Sequence, residues 1–559
     1  MTDEAEDALG RIDPSYVPPA CLASSCQEMT LTSTRPHGIS RLWLRRSSAH
    51  WILYFSILAI GIFARTWEFQ RLPPGLNADE ASNGVDARSL LHFGTDRNNV
   101  PLPVKFISWG GGQDALYGYL LVPFVAVLGL TPTVVRLPML LIGILSLPLF
   151  YSVADATFGG RLALLSMFLL AISPWHILLS RWALEANLFP FLFLAAYSCL
   201  LRVNKGGGWF LLTCVLLGLC LYAYGTAYAV VPVFFACIAA LLCRERLVLP
   251  RFVIAGLLTF SVVAIPAGLL LLINTFGMSS IAVGPLTIPR FPVQARYEAA
   301  TLIGSTTVLR TLAGNVWIAA KLLTTQSDGL LYNVIEPYGY FYAYSLPMAL
   351  LGAVVLTRGL ATAPRFEMIL LASWLGAACL VPIFQAVNIN RWNIIFMPLL
   401  LCTALGVQWL ETRSTLALPA VVLVLLAGFA GFTRAYHGPV YGGQANWKFH
   451  AGLLPALHFA RGVAVGPICV TDTITMPYIF ALFSEETDPS AFVQTVRYAD
   501  PAAPLRQATS FGRYVFGGKN CAGRSDFTYV LAADELPPRL GNRYQYEFFD
   551  NFAVYYPKP

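Results

Sequence analysis

Apolar runs long enough to cross a bilayer recur along most of this chain, and they constrain it to a bundle of membrane helices. A spanning helix needs about 20 mostly apolar residues, because backbone N–H and C=O groups in hydrocarbon must satisfy one another within the segment. The candidate stretches are 51–68, 134–154, 159–176, 187–203, 209–226, 228–243, 250–274, 339–357, 367–386, 391–410 and 414–433. Composition agrees, with 56% hydrophobic and 12% charged residues, against about 25% charged in a soluble domain. One further run, 115–130, is apolar but short. It carries Tyr117 and Tyr119 and follows Gly110-Gly111-Gly112.

Charge sets the expected topology. The basic cluster Arg41, Arg45 and Arg46 precedes the first run, which places the N-terminus in the cytoplasm and makes 51–67 a signal anchor. Residues 1–48 read as a polar, disordered cytoplasmic tail. The loops bearing Arg202/Lys205, Arg244/Arg246/Arg251, Arg358/Arg365 and Arg413 are then also expected inside. Eleven spans satisfy all of them if 115–130 does not cross but lies along the interface, as its tyrosines favour. Stretches 69–133, 176–186, 275–338, 387–390 and 434–559 then face outward. The net charge of +7 is modest and needs no nucleic-acid partner, since basic residues gather on cytoplasmic loops. The fold class expected is an all-α polytopic membrane protein of about eleven helices, with interfacial helices in the first outward loop. A small α/β or α+β domain follows it, because the tail carries short β-like runs at Pro467–Val470, Tyr514–Phe516 and Tyr529–Ala532. Most cysteines sit in apolar segments as small hydrophobes. Cys469 and Cys521 lie in the tail and can pair if it is extracytoplasmic.

The outward loops each place ionisable groups near the end of a span, where they are costly and tend to mark a site. The first is Asn77-Ala78-Asp79-Glu80, after the turn Pro73-Pro74-Gly75 and ahead of an amphipathic stretch. Asn77 or Asp79 suits an N-cap and Glu80 suits the helix dipole; a carboxylate held at the interface equally suits a general base. The second is Ser173-Pro174-Trp175-His176 followed by Ser180-Arg181 and Glu185. Arg181 and Glu185 are spaced i,i+4, as an ordinary helical pair or as one wall of a site. The third is Asn388-Ile389-Asn390-Arg391-Trp392-Asn393, where Arg391 opens an apolar helix. It reads as a snorkelling cation or as a phosphate ligand in a pocket with Asn390. Asp114, beside Gln113 and downstream of Lys105, reads as a helix cap or as a partner of Asp79. Two such carboxylates could hold a divalent ion, although no ligand spacing demands one. Gln326-Ser327-Asp328-Gly329 and Tyr332-Asn333 read as turn chemistry. There is no P-loop, no convincing GxGxxG and no Cys/His zinc spacing.

Taken together these motifs resemble the GT-C superfamily, and in particular the family 39 type, the bacterial relatives of protein O-mannosyltransferases and aminoarabinose transferases. The resemblance is carried by Asp79-Glu80, Val135-Arg136-Leu137-Pro138, Phe158-Gly159-Gly160-Arg161, Ser173-Pro174-Trp175-His176, Ser180-Arg181 with Glu185, Asp328-Gly329 and Asn390-Arg391. It covers about residues 50–435, so 49–435 is expected to be the GT-C-like catalytic domain and 436–559 an extracytoplasmic soluble domain. It implies a multi-pass plasma (inner) membrane glycosyltransferase that takes a sugar from a polyprenyl-phosphate donor to an acceptor hydroxyl on protein, glycan or lipid, with inversion. Asp79 is then the catalytic base and Glu80 its companion. Arg181, Glu185, Arg391, Asp114 and Asn390 are then substrate-binding, with Arg391 on the donor phosphate. Gly111-Gly112-Gln113-Asp114 departs from the His-Pro-Pro or Glu-Lys-Pro of relatives, so metal use and donor head-group contact are not carried over. A lipid-linked sugar transporter is the alternative from another class, and no repeat or midplane charge favours it. A glycan ligase or polymerase shares the donor chemistry.

Overall fold

The structure is a computed structural model that describes residues 46–293, 308–521, 526–535 and 543–558. The expected N-terminal tail, with Arg41 and Arg45, lies outside the described residues. Every apolar run forms helix. In chain order these are α1 (Ser48–Thr66), α2 (Ala78–Phe93), α3 (Leu116–Leu128), α4 (Pro132–Phe158), α5 (Gly160–Ile172), α6 (Pro174–Leu179), α7 (Leu188–Leu200), α8 (Gly207–Cys220), α9 (Ala227–Glu245), α10 (Pro250–Phe276), α11 (Val308–Thr325), α12 (Leu346–Thr362), α13 (Phe366–Ala378), α14 (Phe396–Glu411) and α15 (Ala417–Tyr436). Among the described residues, eight helices are long and apolar enough to cross a membrane, and α3, α5, α7 and α8 are shorter apolar helices. The chain is an integral membrane protein.

α14 and α4 form the interior of the bundle, while α15 is largely uncovered by protein. α12 and α14 approach to backbone contact. A Cβ on Gly352 would stand 1.7 Å from the carbonyl oxygen of Cys402, and one on Gly406 would stand 2.0 Å from that of Met348. Small residues at such a crossing let dispersion and close packing hold helices in lipid, where no hydrophobic drive does so. In the 115–130 run 13 residues are helical, as many as in α5 and in α7. Its tyrosines are bound within the protein. Tyr117 is fully buried and donates to the Val135 carbonyl (2.6 Å), and Tyr119 donates to that of Pro103 (2.9 Å). These hydroxyls tie α3 to α4 and to the first loop.

Beyond α15 come α16 (Pro439–Lys448), α17 (Leu453–Val463), α18 (Pro477–Ser484) and α19 (Pro489–Thr495), with a seven-stranded mixed sheet. Two short hairpins, β1 (Lys105–Phe106) with β2 (Gln113–Asp114) and β3 (Ile281–Val283) with β4 (Leu286–Ile288), precede it in the chain. The sheet strands are β5 (Ile468–Val470), β6 (Arg497–Tyr498), β7 (Ala508–Phe511), β8 (Tyr514–Phe516), β9 (Thr528–Ala532), β10 (Tyr544–Phe549) and β11 (Phe552–Pro557). Their order is β10-β11-β9-β5-β8-β7-β6. β5 runs parallel to both neighbours, β8 and β9, and the other pairings are antiparallel. The three expected β-like runs are β5, β8 and β9, and a disulfide joins Cys469 to Cys521. The tail packs on the first loop. Arg88 of α2 donates to the carbonyls of Leu482 (2.5 Å) and Glu485 (2.9 Å), Arg506 N donates to Trp109 O (2.9 Å), and Phe483 lies against Gly84.

Candidate active site

The site is built on the start of α2. Asn77 accepts from the Asp79 N–H (2.8 Å), and its own N–H donates to Glu80 (3.0 Å), the reciprocal capping box that fixes a helix start. Glu80 is fully buried. Arg136 of α4 donates to both its oxygens (2.6 and 2.7 Å), and the Ala183 N–H adds a third partner (3.0 Å). The same guanidinium donates to the carbonyls of Pro73 (2.5 Å) and Gly75 (3.0 Å). One bidentate pair thus fastens the turn after α1, the start of α2, the start of α4 and the loop before α7. Glu80, expected as the catalytic companion of Asp79, thus has both carboxylate oxygens engaged by Arg136 and by backbone N–H groups.

Its neighbour, Asp79, is half-buried and borders a cavity of about 470 Å³. Asn77, Trp109 and Tyr332 line it from the bundle and the first loop. Lys448, His450, the Thr473–Met476 segment and Asp534 line it from the tail. Sequence reasoning missed the tail residues, because their approach depends on contacts hundreds of positions apart. Burial pushes the His450 imidazole down to about 4, so it faces the cavity uncharged near neutral pH.

Glu185 stands behind Asp79. Burial, then the charges of Asp79 and Asp114, push its carboxyl up to about 7. It accepts from Gln113 (3.2 Å) and Asn83 (3.5 Å). Gln113 in turn accepts from Ser82 (2.5 Å) and Ser108 (2.9 Å), and Arg97 donates to both hydroxyls (2.8 Å each) and to Asp86 (3.0 Å). Asp86 and Arg97 were not singled out from sequence. The available signal was α2 itself, whose Ser82, Asn83, Asp86 and Ser89 are all buried: a polar helix without an apolar stripe belongs inside a polar network.

Three expectations are corrected. Arg181 and Glu185 do not pair, because α6 ends at Leu179 and Glu185 starts a separate 3₁₀ turn, Glu185–Asn187. Arg181 instead donates to the carbonyls of Arg65 (3.0 Å), Trp67 (2.6 Å) and Leu72 (2.9 Å) and lies over the Tyr436 ring. Its donors brace the chain leaving α1. Asp114 caps nothing. It pairs with Lys105 across β1 and β2 (2.6 Å), and Ala115 holds the cap position of α3. Arg391 does not open a helix, since α14 starts at Phe396. It is half-buried in a turn with Asn390, its N–H bound to Asn388 and one guanidinium N–H to the Ala386 carbonyl (3.2 Å). Asp328 reaches this turn through the Ile389 N–H (3.1 Å). Neither Arg391 nor Asn390 borders the cavity that Asp79 does. His176 is buried and bonded to Arg65 (2.8 Å). Among the described residues no group of three or more His, Cys, Asp or Glu side chains could hold a metal.

Residues 115–269 match the family described as dolichyl-phosphate-mannose-protein mannosyltransferase. Among solved structures the chain is similar to ArnT from Cupriavidus metallidurans bound to undecaprenyl phosphate, with a TM-score of 0.57 at 13% identity, covering 91% of this chain and 98% of that one. Against the apo state of the same protein the TM-score is 0.53 at 12% identity, with 93% and 98% covered. The fold is that of the GT-C superfamily. None of the curated protein sequences matches. Within this GT-C fold, the stretch that matches the mannosyltransferase family starts at the foot of α3 and ends in α10, and so includes Arg136, Arg181 and Glu185 but not Asp79.

Proposed function

We propose that this protein is an extracytoplasmic glycosyltransferase that moves a sugar from a polyprenyl-phosphate donor to an acceptor hydroxyl. The observation that carries this is Asp79, a carboxylate fixed at a capped helix start on a cavity, in a fold similar to that of a protein crystallised with undecaprenyl phosphate. The acceptor oxygen attacks the anomeric carbon while the bond from that carbon to the phosphate oxygen breaks. The electron pair leaves with the polyprenyl phosphate, and Asp79 takes the acceptor proton. A single displacement inverts the anomeric centre. Burial and the charge of Asp79 push the Glu185 carboxyl up to about 7, so a proton on Glu185 relieves the repulsion between the two carboxyls. Arg391 is the proposed phosphate ligand, since a guanidinium matches phosphate oxygens bidentately.

The test uses the purified protein in liposomes with polyprenyl-phosphate sugars or nucleotide sugars as donor. The expected result is release of polyprenyl phosphate with an inverted product from the lipid donor alone. Use of a nucleotide sugar, or movement of lipid-linked sugar across the bilayer without transfer, overturns the reading.

A further inference from the structure

The tail sheet turns a specific edge toward Asp79. β5 lies between two parallel neighbours, β8 on one side and β9 on the other. The chain leaves β5 to build one flank of the sheet and then crosses to build the other. That makes the carboxyl end of β5 a topological switch point, where the two outgoing connections part and leave a crevice. In open α/β sheets ligands bind there. The residues following β5, Thr473 to Met476, and Asp534 following β9, both border the cavity whose opposite wall is Asn77, Ala78 and Asp79. A molecule filling this space touches the strand ends at one side and the proposed base at the other.

The lining indicates what that molecule is. Thr473 and Thr475 are exposed hydroxyls, Asp534 is an exposed carboxylate and Lys448 an exposed ammonium. Trp447, on the same cavity, is 47% exposed. Tyr332 is braced against Trp182, with ring centroids 5.0 Å apart. Hydroxyl, carboxylate and ammonium groups thus share the cavity with the aromatic rings of Trp109, Tyr332 and Trp447 and the apolar Ile474, Met476 and Leu505. A sugar ring needs that combination: its C–H face packs on the indole while its hydroxyls bond to threonine and carboxylate oxygens. An acyl chain would leave these polar groups unpaired, at a cost. A phosphorylated acceptor would meet Asp79 and Asp534 against a single lysine. An extended peptide pairs with a sheet edge, whereas strand ends face this cavity and the edge strands β10 and β6 lie at the far sides of the sheet. The volume, about 470 Å³, falls within the range of about 300–1,000 Å³ usual for small-molecule sites.

We propose that the carboxyl edge of β5 and β9 is the acceptor subsite and that the acceptor is a saccharide. This rests on the transferase reading above and narrows it from any hydroxyl acceptor to a glycan. The test supplies the reconstituted full-length protein with a polyprenyl-phosphate sugar and three acceptor probes: a mixture of manno-, gluco-, galacto- and arabino-oligosaccharides, a serine/threonine peptide, and a hydroxylated lipid. Transfer to the oligosaccharides is expected. Thr475→Val and Asp534→Ala are each expected to raise the KM for the preferred oligosaccharide by tenfold or more with kcat changed less than threefold, and Thr475→Ser to restore it. Transfer to peptide or lipid but to none of the oligosaccharides overturns the acceptor class and leaves the transferase reading standing. An unchanged KM in Thr475→Val and Asp534→Ala overturns the placement of the subsite. If no acceptor causes wild-type protein to release polyprenyl phosphate, the transferase reading fails and this proposal with it.

Discussion

Burial and the neighbouring charge of Asp79 hold the Glu185 carboxyl at about 7, against an ordinary 4.5. A folded-state value above the unfolded one means that the native protein holds the proton more tightly. The stability this confers is complete below the unfolded value and is lost as pH rises through the folded one. Glu185→Gln keeps the shape of the protonated group without titrating. Thermal unfolding in detergent should therefore fall as pH rises from about 4.5 to 7 for the wild type and stay flatter for Glu185→Gln. Equal slopes would show that Glu185 is not the group responsible. Arg391→Ala should weaken donor use by about 1.5–3 kcal/mol, the size of a charged hydrogen bond, read as a 10- to 100-fold loss in donor kcat/KM. At this scale the sequence was readable where partners are local. A cap at Asn77 or Asp79 was legible, and the structure places it at Asn77, with Glu80 closing the box. The partner of Glu80 is 56 residues away, and no local rule finds it. The i,i+4 rule misled at Arg181 and Glu185 because it presumes a continuous helix, and here the backbone turns after Leu179.

Among elements, the hydrophobic runs were the dependable signal, since hydrocarbon forces the backbone of each to bond within itself. Where helices break was not legible: the run at 391–410 begins as a turn and a 3₁₀ segment before α14, held by Asn393 donating to Ala186 O (2.8 Å). Nor was the crossing of α12 and α14, because glycine is common in membrane helices. Gly406→Val should destabilise the bundle by about 3 kcal/mol, the upper end for overpacking, because the atom in the way is backbone. Gly376→Ala in α13 meets open space and should be neutral or stabilising by up to about 1 kcal/mol. Unfolding temperatures of the two variants in one detergent check the contrast, and similar values would refute the close crossing.

For the molecule as a whole, the order of parts was legible: a helical bundle, then a tail that carries a small mixed sheet, with a disulfide between Cys469 and Cys521. What was not legible is that the tail completes the cavity around Asp79, because strand order and the packing of α18 on α2 depend on pairings distant in sequence. Bundle, first loop and tail meet at that one carboxylate, so its replacement probes the whole assembly. The decisive measurement is the initial rate of sugar transfer from a polyprenyl-phosphate donor by reconstituted Asp79→Asn, with unfolding temperature and donor binding measured on the same preparation. General-base catalysis contributes about 10²–10⁴-fold, so transfer should fall by at least about 100-fold while unfolding temperature and donor binding hold. Transfer at close to the wild-type rate would contradict the account.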